Sequence, residues 1–156
     1  PYPNHFVRKL SHMGKVHLIE DKLENVGLDL FKTLQSNDIL FMDSSHGMKL
    51  GSDVLYYFTQ IFPSLAKNVL IHIHDIFFPY DYPEAWLKEG RFWNEQYALY
   101  LFLQYNSRFK IQFCNSYSQF KYRERLAALQ EHAYERKKGR CNDVFSGGSI
   151  WLRKVE

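Results

Sequence analysis

Four side chains able to hold a cation or move a proton stand at the ends of two short apolar runs. The first run, Asp38-Ile39-Leu40-Phe41-Met42, breaks off in Asp43-Ser44-Ser45-His46, and the second, Val69-Leu70-Ile71-His72-Ile73, breaks off in His74-Asp75. An apolar run of this length, closed by polar residues and followed by a helical pattern, reads as a buried parallel strand stopping at its carboxyl end. Ligands of open α/β sheets bind beyond that edge. If the two runs are neighbours, Asp43, His46, His74 and Asp75 share one crevice, where carboxylates and imidazoles bind a divalent cation or transfer a proton. His46 suits the second task, because an imidazole with a pKa of about 6.5 accepts a hydroxyl proton near neutrality. Each residue also has an ordinary alternative. Asp43 can cap the following turn through backbone N–H groups, His46 can be a surface or capping residue, and His72 reads as a hydrogen-bonded core histidine.

A second group, Arg91, Trp93, Asn94, Glu95 and Gln96, mixes aromatic rings with guanidinium, amide and carboxyl groups. It suits a sugar or another polyhydroxylated acceptor; the alternative is a helix that packs Trp93 and Tyr97 inward and leaves the charges outside. Asp53 falls in the first turn of an expected helix, where the helix dipole favours a negative charge.

The elements that must position these groups follow from periodicity. Strands are expected at 16–20, 38–43, 69–74, 109–115 and 149–154. A helix opens at Gly51 or Ser52, carries Val54, Leu55, Phe58, Ile61 and Phe62 on one stripe, and stops at Pro63. Further helices are expected over 4–13, 29–34, 84–89, about 93–105 and 122–137. Strand, helix and strand with short connections is the grammar of a parallel sheet. The aromatic loop Ile76-Phe77-Phe78-Pro79-Tyr80-Asp81-Tyr82-Pro83 is too apolar to be left in water.

The totals narrow the class. The 156 residues are 46% hydrophobic and 17% aromatic, enough for one domain with a substantial core. A net charge of +3, with basic residues gathered only at Arg136-Lys137-Lys138-Gly139-Arg140, is too little for a nucleic-acid footprint. No apolar run approaches the ~20 residues of a membrane helix, and the polar, Pro-rich start is not a signal peptide. Cys114 and Cys141 lack metal spacing and are too few for a disulfide scaffold, which points to a reducing, cytoplasmic setting.

With those residues placed, the order of pieces resembles the carboxyl-terminal two thirds of class I S-adenosylmethionine-dependent methyltransferases. More narrowly, it is similar to the bacterial branch grouped with cephalosporin hydroxylase-like and sugar or macrolide O-methyltransferases. The likeness is carried by Asp38 to His46, Gly51-Ser52-Asp53, His72 to Phe77, Asp81-Tyr82-Pro83, Arg91 to Tyr97 and Gly147-Gly148-Ser149-Ile150-Trp151-Leu152-Arg153. It implies an α/β, Rossmann-like sheet, mostly parallel, whose last strand runs antiparallel between two others. The first two strands and the glycine-rich cofactor loop are not found in these residues, so the chain is expected to be a partial domain of a longer protein. The resemblance further implies a metal-assisted O-methyltransferase acting on a hydroxyl of a sugar or other small polar acceptor, with S-adenosylmethionine and magnesium or manganese as cofactors. On it, His46 is the general base. Asp43, His74 and Asp75 hold the metal, although His74 departs from the acid usual there. Glu20, Asp43 and Ser44 contact the cofactor, and Arg91, Trp93, Asn94 and Glu95 contact the acceptor. It leaves room for a homo-oligomer. A binding or assembly domain that keeps the fold without the reaction is the other reading.

Overall fold

The apolar runs form strands, and two of them are neighbours. In the computed structural model, which describes residues 3–129 and 147–156, one sheet holds β1 (Ile39–Met42), β2 (Leu70–His74), β3 (Phe109–Cys114) and β4 (Ser149–Lys154) in the order β1-β2-β4-β3. β1 and β2 are parallel, with Leu40 opposite Ile71 and Met42 opposite Ile73. β4 runs antiparallel to both β2 and β3. The chain is therefore α/β with an open mixed sheet, and its last strand lies antiparallel between two others as expected.

One sheet face is the core. Ile71, Ile73, Ile150 and Leu152 are fully buried on it. The helical segment over 53–64 packs there, made of α3 (Asp53–Tyr56), a π-helical turn (Tyr57–Ile61) and α4 (Phe62–Ser64). Its aromatic residues meet α6 (Glu95–Leu103) and β3: Phe58 and Phe62 lie 5.2 and 5.8 Å from Phe102, and Phe102 lies 5.0 Å from Phe109. Ser52 caps α3 by accepting from Leu55 N at 3.2 Å. At the far end Lys154 is buried, and its Nζ donates to the carbonyls of Pro63 (2.6 Å) and Phe62 (3.4 Å). A lysine on the last strand thus satisfies carbonyls that the end of a helix leaves unpaired.

The opposite face carries Phe41, His72, Trp151 and Phe113 in register across all four strands. His72 stacks on Trp151 at 4.3 Å and 6° and meets Phe41 at 5.1 Å. The expected hydrogen-bonded core histidine is therefore corrected: His72 Nε2 is buried without a hydrogen-bond partner among the described residues, and burial lowers the imidazole pKa.

Two further expectations change. No strand forms over 16–20, where Val16 and Ile19 are exposed. A helix not anticipated, α7 (Asn115–Lys121), follows β3 directly. The remaining helices are α1 (His5–His12), capped by Asn4, α2 (Leu28–Lys32) and α5 (Glu84–Lys88). Residues 123–129 are helical; the rest of the helix expected over 122–137, the basic cluster at 136–140 and Cys141 lie outside the described residues.

Gly148 fixes how β4 enters beside β2. A Cβ there would stand 2.6 Å from the Ile76 carbonyl oxygen, and the Gly148 carbonyl accepts from Asp75 N at 2.8 Å. Gly148→Ala should therefore cost about 1–3 kcal/mol through overpacking against backbone and displace Asp75. A lowered denaturation midpoint, with a shifted Asp75 amide resonance, checks this.

Candidate functional site

The parallel pairing of β1 and β2 brings their carboxyl ends side by side, and Asp43, His46, His74 and Asp75 meet there. His46 Nε2 stands 3.5 Å from Asp43 Oδ1 and 3.7 Å from Asp75 Oδ2. His74 Nδ1 lies 3.2 Å from Asp75 Oδ1 and 3.9 Å from Asp43 Oδ1. Both histidines thus face both aspartates across one crevice.

The backbone is strained at the two points that matter. His46 has φ +57° and Asp75 φ +55°, a left-handed conformation that costs a non-glycine residue on the order of 1–3 kcal/mol and collects at functional sites. The turn at His46 presents its carbonyl to the start of α6, where the N–H groups of Asn94 and Glu95 donate to it at 3.0 and 3.2 Å. The loop is held elsewhere too. Asp53 accepts from Ser45 N (2.8 Å) and Ser45 Oγ (2.5 Å), and Ser44 Oγ accepts from His46 N (2.9 Å). Asp53 therefore does more than answer a helix dipole, because it ties α3 to the loop carrying the imidazole.

His46 is 5% exposed. Its Nδ1 lies 2.6 Å from Glu95 Oε2, and its ring stacks on Trp93 at 4.0 Å. Glu95 is fully buried and also accepts the hydroxyl hydrogen of Tyr57, the residue at which the π-helical turn begins. Such turns recur at functional sites because they re-aim side chains. With its proton on Nδ1, where Glu95 accepts it, the neutral imidazole turns the Nε2 lone pair toward Asp43 and Asp75. Burial alone would lower the pKa of His46; the carboxyl groups of Glu95, Asp75 and Asp43 outweigh it, and the pKa is raised.

That shift has opposite consequences for folding and for base chemistry. A raised imidazole pKa stabilises the fold fully below the unfolded value of about 6.5, and the contribution is lost as pH rises through the folded value. Proton abstraction needs the neutral ring. If the ring serves as a base, the acid limb of the kcat/KM profile should lie above about pH 6.5, and Glu95→Gln should move it downward. His72, with its lowered pKa, acts the other way on stability and favours unfolding as pH falls below the unfolded value.

The other expected site residues divide. Asn94 exchanges hydrogen bonds with the Met48 backbone, accepting from its N at 2.6 Å and donating to its O at 3.2 Å. Trp93 lies against His46, and Glu95 is out of solvent. Asn94 and Glu95 thus hold the loop and the ring of His46 in place. Arg91 pairs with Glu89 at 2.8 Å and lies over the rings of Trp86 and Trp93 at 4.9 and 5.7 Å. Glu20 belongs to a segment that forms no strand, and its carboxyl pairs with Arg8 at 2.7 Å.

No group of three His, Cys, Asp or Glu side chains among the described residues is placed to hold a metal ion. The edge of the His46 ring lies against the carboxyl groups of both Asp43 and Asp75, which with His74 were the expected magnesium or manganese ligands. Among the described residues no helix is long and apolar enough to cross a membrane. Comparison with family models, with curated proteins and with solved structures finds no match for the chain.

Proposed function

We propose that these residues form the acceptor-side part of an S-adenosylmethionine-dependent O-methyltransferase of Rossmann-like fold, in which His46 is the general base. The observation that carries the reading is the buried imidazole, with Nδ1 bound to Glu95 and Nε2 aimed at the carboxyl edge of two parallel strands. A last strand set antiparallel between two others supports it, as does a crevice beyond the carboxyl ends of β1 and β2.

S-adenosylmethionine, when bound, supplies an electrophilic methyl group on a cationic sulfur. Asp43, half exposed at the end of β1, and the Ser44 hydroxyl fit its positively charged end, since both accept hydrogen bonds and Asp43 can offer negative charge. His46 Nε2 would remove the proton of a small acceptor's hydroxyl as that oxygen takes the methyl carbon and the carbon–sulfur bond breaks, leaving a neutral thioether. Asp43 and Asp75 then stabilise the imidazolium produced. Glu95 and Tyr57 keep the ring oriented throughout, so little reorganisation is needed. Trp93 and Arg91 stand nearest as acceptor contacts.

The test is methyl transfer from labelled S-adenosylmethionine to a panel of sugars by the full-length native polypeptide. Transfer to a hydroxyl supports the proposal, and calorimetry showing no S-adenosylmethionine binding to that polypeptide refutes it. A non-catalytic binding or assembly role is favoured by one observation, the ladder of Phe41, His72, Trp151 and Phe113, in which Phe41 and Phe113 are about half exposed. Absent cofactor binding would leave that role standing.

A further inference from the structure

We infer that a second site, the hollow between the loop after β2 and the outer side of α6, binds a neutral saccharide or similar polyol. The hollow measures about 590 Å³. Tyr80 and Asp81 line it from the loop, and Tyr97, Tyr100 and Gln104 line it from α6 and its carboxyl cap. Tyr97, Tyr100 and Gln104 are spaced three and four residues apart, so they share one side of the helix. Leu99 turns to the core.

Three tyrosines that are 54%, 46% and 56% exposed (Tyr80, Tyr97 and Tyr100) leave ring surface free in this hollow. The Asp81 Oδ1 atom accepts from the Tyr97 hydroxyl and from Tyr82 N at 3.3 Å, while Oδ2 has no hydrogen-bond partner among the described residues. Among the described residues no lysine or arginine lines the hollow, so a phosphate, sulfate or carboxylate ligand would lack its natural counter-charge there. A pyranose fits the lining. Its C–H face packs on aromatic rings, and its hydroxyls donate to Asp81 and exchange hydrogen bonds with Gln104. A quaternary ammonium would use the rings and the charge but would leave the amide without a partner.

The hollow is walled off from His46. Tyr82, 4% exposed, packs edge-on against Tyr97 at 5.8 Å on one side and against Trp93 at 6.0 Å on the other, and Trp93 is the ring on which His46 stacks. A ligand here is anchored rather than transformed, and its binding is independent of the methyl-transfer proposal.

Saturation-transfer NMR on the full chain without cofactor tests this, using glucose, galactose, mannose, maltose and lactose, with tetramethylammonium as the cationic control. At least one sugar should bind with a dissociation constant of about a millimolar. Tyr97→Ala and Asp81→Asn should each weaken it by roughly tenfold, about 1.4 kcal/mol. Tyr97→Phe, which keeps the ring, should weaken it less. Tyr97 is about half exposed and Asp81 is exposed, so the variants should fold, as circular dichroism can verify. Binding by none of the sugars, binding unchanged in folded Tyr97→Ala and Asp81→Asn proteins, or binding of tetramethylammonium alone overturns the inference.

Discussion

Changing His46 to Asn should lower methyl transfer by about 10²- to 10⁴-fold, the range that a positioned general base contributes, while the protein remains folded. Asn is the informative replacement. Its side-chain amide can donate to Glu95 as Nδ1–H does, and Asn tolerates the left-handed backbone found at this position. What it removes is the atom facing Asp43 and Asp75. S-adenosylmethionine binding should change little, because the cofactor contacts are assigned to Asp43 and Ser44. Rates within threefold of the unmodified protein would remove His46 from the chemistry.

Glu95 carries the second large effect, and it falls on stability as well as rate. The carboxyl group is fully buried and serves both His46 and Tyr57. Truncation to Ala strands both partners and opens a cavity, and removing one member of such a buried pair costs roughly 3–5 kcal/mol. Glu95→Gln keeps the shape and an acceptor, so most of the fold should survive. The imidazole then loses its largest raising influence, and the raised pKa of His46 should fall. Chemical denaturation of both variants separates the two roles. A Glu95→Ala protein as stable as its parent would show that the buried contact contributes nothing to holding the imidazole.

How much of this was legible in the sequence differs from residue to residue. The neighbouring strands and the meeting of Asp43, His46, His74 and Asp75 were legible, because an apolar run ending in acid and imidazole has few other uses in a parallel sheet. The closing strand after Gly147-Gly148 was legible for similar reasons. The strand expected at 16–20 was not formed; its alternation is weak, and a strand needs a partner that local pattern does not specify. The π-helical turn that starts at Tyr57 leaves no mark in the apolar spacing of 54–62.

The burial of Glu95 was readable. The residue lies four and seven residues before Leu99 and Phe102, on the stripe that packs inward, so its spacing with the core residues outweighed its place in a polar stretch. His72 shows the opposite limit. Alternation placed it correctly on the face shared with His74, but which ring would cover it depended on Trp151, nearly eighty residues away and brought alongside by the antiparallel last strand.

The most direct measurement is a pH titration of the His46 ring by ¹⁵N NMR. A neutral form protonated at Nδ1, with a pKa above the ordinary value of about 6.5 that drops in Glu95→Gln, is the expected result. A ring protonated at Nε2, or one titrating at or below the ordinary value, would contradict the buried carboxyl-held base on which the proposed chemistry stands.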